Sequence, residues 1–211
     1  MKEIQNIYQM VKLTGKKKLL TAVFISGRGS NLKSLFKFSK KKSSPIKIQI
    51  VLTDNNNARG LLFAKRKKIK IFKINYSNKN VAEKKIQIIT KKNKINLICL
   101  AGFMKILSKK FINSFKGNIL NIHPSLLPKY KGLNTHERVI KNNEKYSGCT
   151  VHFVNDKLDS GKVILQKRLK ILKNDDSYKL SKKILKIEHE LYPEAIEKLF
   201  STRWKKNLSL F

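Results

Sequence analysis

The stretch Asn118-Ile119-Leu120-Asn121-Ile122-His123-Pro124-Ser125-Leu126-Leu127-Pro128 decides how this chain is read. Its first five residues form an apolar, β-branched run of strand length, which reads as a short buried strand. Pro124 follows the histidine directly and Pro128 stiffens the exit, so the reading ends the ladder before His123. Residues two apart on a strand share a face, which places Asn121 and His123 together at the strand end. Downstream, Val151 to Val154 reads as another strand, and the polar turn after it carries Asp159. Amide, imidazole and carboxylate are a set that can polarise an acyl group, move a proton and keep the imidazole oriented.

Working outward, strands and helices alternate. Strands are predicted at 20–25, 46–53, 69–74 and 95–101, with helices starting at Leu32 and covering 58–67 and 80–92. This alternation predicts an α/β fold with a mostly parallel, twisted sheet and helices on both faces. The closing part differs: 146–154 and 163–173 read as an antiparallel pair joined by a short turn, and 177–200 as a helix. Ligands of such sheets bind beyond the carboxyl ends of the strands, where the loops at 26–31, 102–107 and 123–133 gather. With no repeat, linker or Pro-rich stretch, one domain over 19–200 is expected. Residues 1–18 are expected to be an extension, with helical spacing at Ile4, Ile7, Tyr8 and Val11, and 201–211 a tail.

The loop Ser26-Gly27-Arg28-Gly29-Ser30-Asn31 joins the first strand to a helix. A Gly-rich turn there aims backbone N–H groups at an anion. The dinucleotide fingerprint needs a third glycine where Leu32 stands, so a nicotinamide site is rejected and a small phosphate is the better guest. An ordinary tight turn remains the alternative.

Lys+Arg 48 against Asp+Glu 13 gives a net charge of +35 over 211 residues. A basic surface can bind phosphate backbones. Here the basic residues are dispersed, without an RNA-binding signature or basic arm, which favours compositional bias toward Lys, Asn and Ile over a specific nucleic-acid partner. Only two cysteines, Cys99 and Cys149, argue against a disulfide scaffold and for a reducing, cytoplasmic setting. Nothing approaches a membrane span, and residues 1–18 lack the apolar core of a secretory signal.

The blocks "LAGFMKIL" (100–107), "NIHPSLLPKYKGLNTH" (121–136) and "GCTVHFVNDKLDSGKVILQ" (148–166) resemble the phosphoribosylglycinamide formyltransferases, folate-dependent enzymes of purine synthesis. "ISGRGSNL" (25–32) is similar to the family's first loop and "IEHELYP" (187–193) to its last helix. The resemblance implies a Rossmann-like formyltransferase fold, 10-formyltetrahydrofolate as formyl donor, small-molecule substrates and no metal. It implies that His123, Asn121 and Asp159 are catalytic, and that Gly29, Ser30 and Asn31 grip the substrate phosphate while Glu188 binds the glycinamide. It further implies a folate pocket formed by Lys79, Met104, Lys105, Ile106, Leu107 and Asn121. Lys79 falls where the family has an arginine, Lys131 where a proline is usual and Asn134 where a histidine is common. A sharp turn beneath the pocket makes Leu127–Pro128 a candidate cis peptide.

Bland readings stand beside these roles. Asp159-Ser160-Gly161 is good turn chemistry, Glu188 is readable as a helix-surface carboxylate, and packing of a half-buried strand accounts for His152. His123, His152 and Asp159 also form a conceivable two-histidine-one-carboxylate metal set, which the Pro-rich surroundings disfavour. Methionyl-tRNA formyltransferase, a formyltetrahydrofolate hydrolase and a basic RNA-binding protein on a decayed fold are the rival functions. The expected assembly is a monomer or weak homodimer.

Overall fold

The computed structural model describes residues 18–200, and the expected N-terminal extension and C-terminal tail lie almost wholly outside them, including the helix suggested at Ile4 to Val11. Seven strands form one sheet in the order β3-β2-β1-β4-β5-β6-β7. They are β1 (Leu19–Ile25), β2 (Ile46–Thr53), β3 (Lys70–Lys73), β4 (Leu97–Leu100), β5 (Asn118–His123), β6 (Tyr146–Phe153) and β7 (Val163–Lys170). β1 to β5 pair in parallel, and β6 and β7 are added antiparallel at one edge. The central strands are buried on both faces: Val23 and Ile25 enter one apolar cluster, Ala22 and Phe24 the other.

Six helices cover the two faces: α1 (Ser30–Ser39), α2 (Gly60–Arg66), α3 (Lys79–Lys92), α4 (Lys109–Ser114), α5 (Thr135–Lys141) and α6 (Ser177–Phe200). Leu32, Leu35 and Phe38 of α1 join Leu191, Tyr192 and Ile196 of α6 on one face, while Ala82 and Ile86 of α3 and Phe111 of α4 fill the other. The Tyr192 hydroxyl reaches Leu100 O at 3.1 Å and Leu120 O at 3.0 Å, tying α6 to β4 and β5. The strand order reverses between β1 and β4, and their carboxyl ends open the crevice at which sheets of this kind bind ligands.

Two expectations are corrected. His123 does continue the ladder, pairing with Thr150 across the antiparallel edge, because Pro124 comes one residue later and only its own missing N–H ends the pairing. The connection between β6 and β7 is a loop over 154–162 rather than a short turn, long enough to fold back over the end of β5. The short helices α4 and α5 have no counterpart in the sequence reading. The Leu127–Pro128 bond is cis, as expected.

Candidate active site

β5 and β6 set the site. Their register places Asn121 opposite His152 and His123 opposite Thr150. The 154–162 loop then returns Asp159, which takes a left-handed conformation (φ 44°) that aspartate tolerates better than most residues. Its carboxylate meets every polar group of the strand end. Oδ2 lies 3.3 Å from His123 Nδ1 and accepts from Gly132 N at 2.9 Å. Oδ1 lies 3.4 Å from Asn121 Nδ2 and 3.7 Å from His152 Nε2. The predicted amide, imidazole and carboxylate are therefore together, and Asp159 serves as both turn residue and site residue.

The hydrogen-bond pattern assigns the ring nitrogens. His123 Nε2 lies 2.8 Å from Tyr130 O, an acceptor only, so Nε2 carries a proton and Nδ1 faces Asp159. His152 Nδ1 donates to Phe153 O at 2.7 Å, leaving Nε2 to accept from Asn121 Nδ2 at 3.2 Å. Burial is the main cause that pushes the His152 pKa below its ordinary value, which favours the neutral ring this acceptor role requires. His152 thus orients Asn121. The sequence reading gave it no firm role, and the only signal was its place on a strand that register alone aligns with β5. His136, on α5, has its pKa lowered first by burial and then by facing His123, and its Nδ1 has no hydrogen-bond partner among the described residues.

The Gly-rich loop over 26–31, between β1 and α1, is the candidate anion site. Gly29 caps α1 with φ 71° and no side-chain cap, leaving the first-turn N–H groups open to an anion. A Cβ at Gly29 would stand 2.7 Å from Gly60 Cα, so the loop also needs glycine for close approach. Asn31 donates to Glu188 Oε2 at 2.8 Å. The surface reading of Glu188 is thereby corrected: only 7% of it is exposed, because α6 packs that face onto α1. Burial pushes its carboxyl up to about 7, partly offset by the Asn31 bond.

The expected folate segment is more divided. Met104 and Ile106 are exposed at 61% each, whereas the Leu107 side chain is core, packed on the face of α3 and α4. Leu107 therefore offers a ligand only its backbone. Ser26 Oγ accepts from Met104 N at 2.8 Å and donates to Asp54, whose second oxygen lies 3.7 Å from Lys105 Nζ. Lys79 is the exposed first residue of α3. Among the described residues, no group of three or more His, Cys, Asp or Glu is placed to hold a metal ion.

A sheet of this topology, with an amide, two imidazoles and a carboxylate clustered at a strand end and an uncapped helix start across the crevice, is an arrangement suited to acyl-group transfer. The chain matches the formyl transferase family model over residues 19–196 and belongs to that family. It is 39% identical over 179 residues to phosphoribosylglycinamide formyltransferase of Haemophilus influenzae, covering 83% of this chain and 84% of that one. It is 39% identical over 185 residues to the human trifunctional purine biosynthetic protein adenosine-3, covering 86% of this chain but 18% of that one. The chain thus spans less than a fifth of such trifunctional relatives. The crystal structure of phosphoribosylglycinamide formyltransferase from Anaplasma phagocytophilum superposes with a TM-score of 0.82 at 39% identity, covering 87% of each chain.

Proposed function

We propose that this enzyme transfers the formyl group of 10-formyltetrahydrofolate to the amine of N1-(5-phospho-D-ribosyl)glycinamide, a step of de novo purine synthesis, releasing tetrahydrofolate. The convergence of Asn121, His123 and Asp159 at the end of β5 carries this reading. The substrate phosphate lies on the α1 N-terminus at Gly29, Ser30 and Asn31, and Glu188 faces the glycinamide. The amine attacks the formyl carbon, forming a C–N bond as the carbonyl electrons move to oxygen. Asn121 Nδ2 and His123, protonated at Nδ1, donate to that oxygen; the long 3.4 Å contact from Asn121 to Asp159 is the one this oxygen replaces. Asp159 keeps the imidazole oriented and relays the amine proton to the departing folate nitrogen as its C–N bond breaks. Much of the acceleration comes from holding both substrates in line.

The donor lies along 104–107 with its tail toward Lys79. In this reading the chain is one catalytic domain over 19–200 with flanking extensions, cytoplasmic, metal-free and a monomer or weak homodimer, without a specific nucleic-acid or membrane partner. Among the described residues, no helix is long and apolar enough to cross a membrane. Formyl transfer to glycinamide ribonucleotide, initiator tRNA and water, compared in one assay of tetrahydrofolate release, tests it. Release with the ribonucleotide alone is expected; no release with that acceptor refutes the reading.

A further inference from the structure

Tyr130 has a backbone conformation that its residue type disfavours. It is left-handed, with φ 56°, although it is neither glycine nor asparagine. That conformation aims its carbonyl at His123 Nε2, 2.8 Å away. The bond fixes which nitrogen of His123 carries the proton and therefore which one faces Asp159 Oδ2 at 3.3 Å. Something must hold Tyr130 in this state, and the polar contacts of its side chain all come from α5 and the residues after it. The Tyr130 hydroxyl donates to Glu144 Oε1 at 2.9 Å and accepts from Asn142 Nδ2 at 2.9 Å. Glu144 is itself paired with Lys129 Nζ at 2.9 Å, and the Arg138 guanidinium lies 5.4 Å from the ring centroid. A cavity of about 360 Å³ borders both Tyr130 and Glu144, so close packing does not confine the ring on that side.

We propose that Glu144 and the Tyr130 hydroxyl are positioning residues for His123: they clamp Tyr130 in its left-handed state so that its carbonyl selects the Nε2–H tautomer and keeps Nδ1 toward Asp159. The clamp acts through the backbone and touches no substrate. It deepens the reading of His123 as the acid–base group and rests on it for its effect on rate, but the tautomer is observable without any reaction. Besides the Tyr130 carbonyl, the titratable groups facing His123 are Asp159 from the 154–162 loop and His136 from α5. His152 joins them through Asp159.

The test uses full-length Tyr130→Phe, Glu144→Ala, Glu144→Gln and the Phe/Ala double variant. Long-range ¹H–¹⁵N spectra of the imidazoles report the tautomer. The wild type is expected to hold His123 as Nε2–H, and Tyr130→Phe and Glu144→Ala to populate Nδ1–H. Their kcat should fall about three- to tenfold, the worth of a hydrogen bond, with both KM values nearly unchanged. The double variant should be no worse than either single one, because both break the same clamp. Glu144→Gln, which keeps an acceptor, should restore most of the rate. An unaltered tautomer and kcat in Tyr130→Phe overturns the proposal, even if the melting temperature falls, since that outcome leaves the pair a merely structural role. If the tautomer shifts but the wild type transfers no formyl group, the clamp stands and the proposed reaction fails.

Discussion

The two ends of the crevice use different materials. At the antiparallel edge, β5 and β6 present side chains: Asn121, His123 and His152 converge on one carboxylate, and each has a second partner that fixes its orientation. At the parallel end, between β1 and α1, the candidate site is mostly backbone, built from a left-handed glycine, an uncapped helix start and one buried Asn31–Glu188 pair. The antiparallel edge lets one strand pair carry Asn121 and His152 in register, so the reacting groups have a rigid base. A parallel βα turn instead supplies N–H groups, which bind an anion without needing to titrate. Chemistry and binding should therefore respond differently to mutation.

The largest effect should come from the side-chain end. His123→Ala is expected to lower kcat about 10²–10⁴-fold, the range for a positioned acid–base group, while both substrates still bind. Asp159→Asn should follow it with little change in fold. Steady-state kinetics with direct binding measurements separate the two quantities. Full activity in either variant would remove the proton-transfer step and the contrast with it.

The backbone end should respond as structure. Gly29→Ala must accept both a left-handed alanine, about 1–2 kcal/mol, and a contact 2.7 Å from Gly60 Cα, about 1–3 kcal/mol more. Gly102 is also left-handed (φ 76°), but a Cβ added there would meet nothing within 4 Å, so Gly102→Ala should show only the first cost. Denaturant midpoints of the two variants compare them directly. Equal destabilisation would mean that the close approach of Gly29 and Gly60 is relieved cheaply.

How far each end could be read from the sequence follows the same division. β2 at 46–53 and α6 at 177–200 lie where the apolar pattern put them, because each is long enough for its period to register. Asn121 and His123 were legible since strand spacing alone puts them on one face. His152 was not, because nothing local states that it stands opposite Asn121; that is a register between strands 31 residues apart. For Glu188 the resemblance implied a substrate role, while its own segment allowed a surface carboxylate, because its partner, Asn31, is 157 residues away. α4 and α5, of six and seven residues, were not legible, although α2, also of seven residues, was read within 58–67.

Glu188 joins the two ends in one measurement. Its carboxyl is pushed up to about 7 by burial, so the folded chain holds this proton more tightly than the unfolded one. Its contribution to stability is complete below about pH 4.5, declines as pH rises and is lost once the folded group ionises near 7. The decline amounts to roughly 3 kcal/mol at most. Because Glu188→Gln removes this titration, the wild-type-minus-variant difference in melting temperature should fall as pH rises across that window, and KM for the ribonucleotide should rise with less change in kcat. A difference independent of pH would place the carboxyl at an ordinary pKa.

The smallest effect should come from a single exposed surface position. Lys79, exposed at the start of α3, is the residue that the resemblance sets in place of an arginine, whose guanidinium grips a carboxylate through two parallel hydrogen bonds. An ammonium on a flexible stem supplies charge without that geometry. The tail should therefore be held by a diffuse field, to which Lys105 contributes less than a free lysine because Asp54 lies 3.7 Å from its Nζ. Such a field favours donors with several glutamates and fades with salt, since exposed charges are screened beyond about 10 Å at 0.1 M. KM for monoglutamyl and polyglutamyl donors, measured at low and high salt, should differ at low salt and converge at high salt. Lys79→Arg should lower the monoglutamate KM by about two- to fivefold, the worth of a surface ion pair with better geometry, and make it less salt-dependent. If the substitution changes neither value, residue 79 does not reach the tail, and the hold on the donor comes from the 104–107 segment alone.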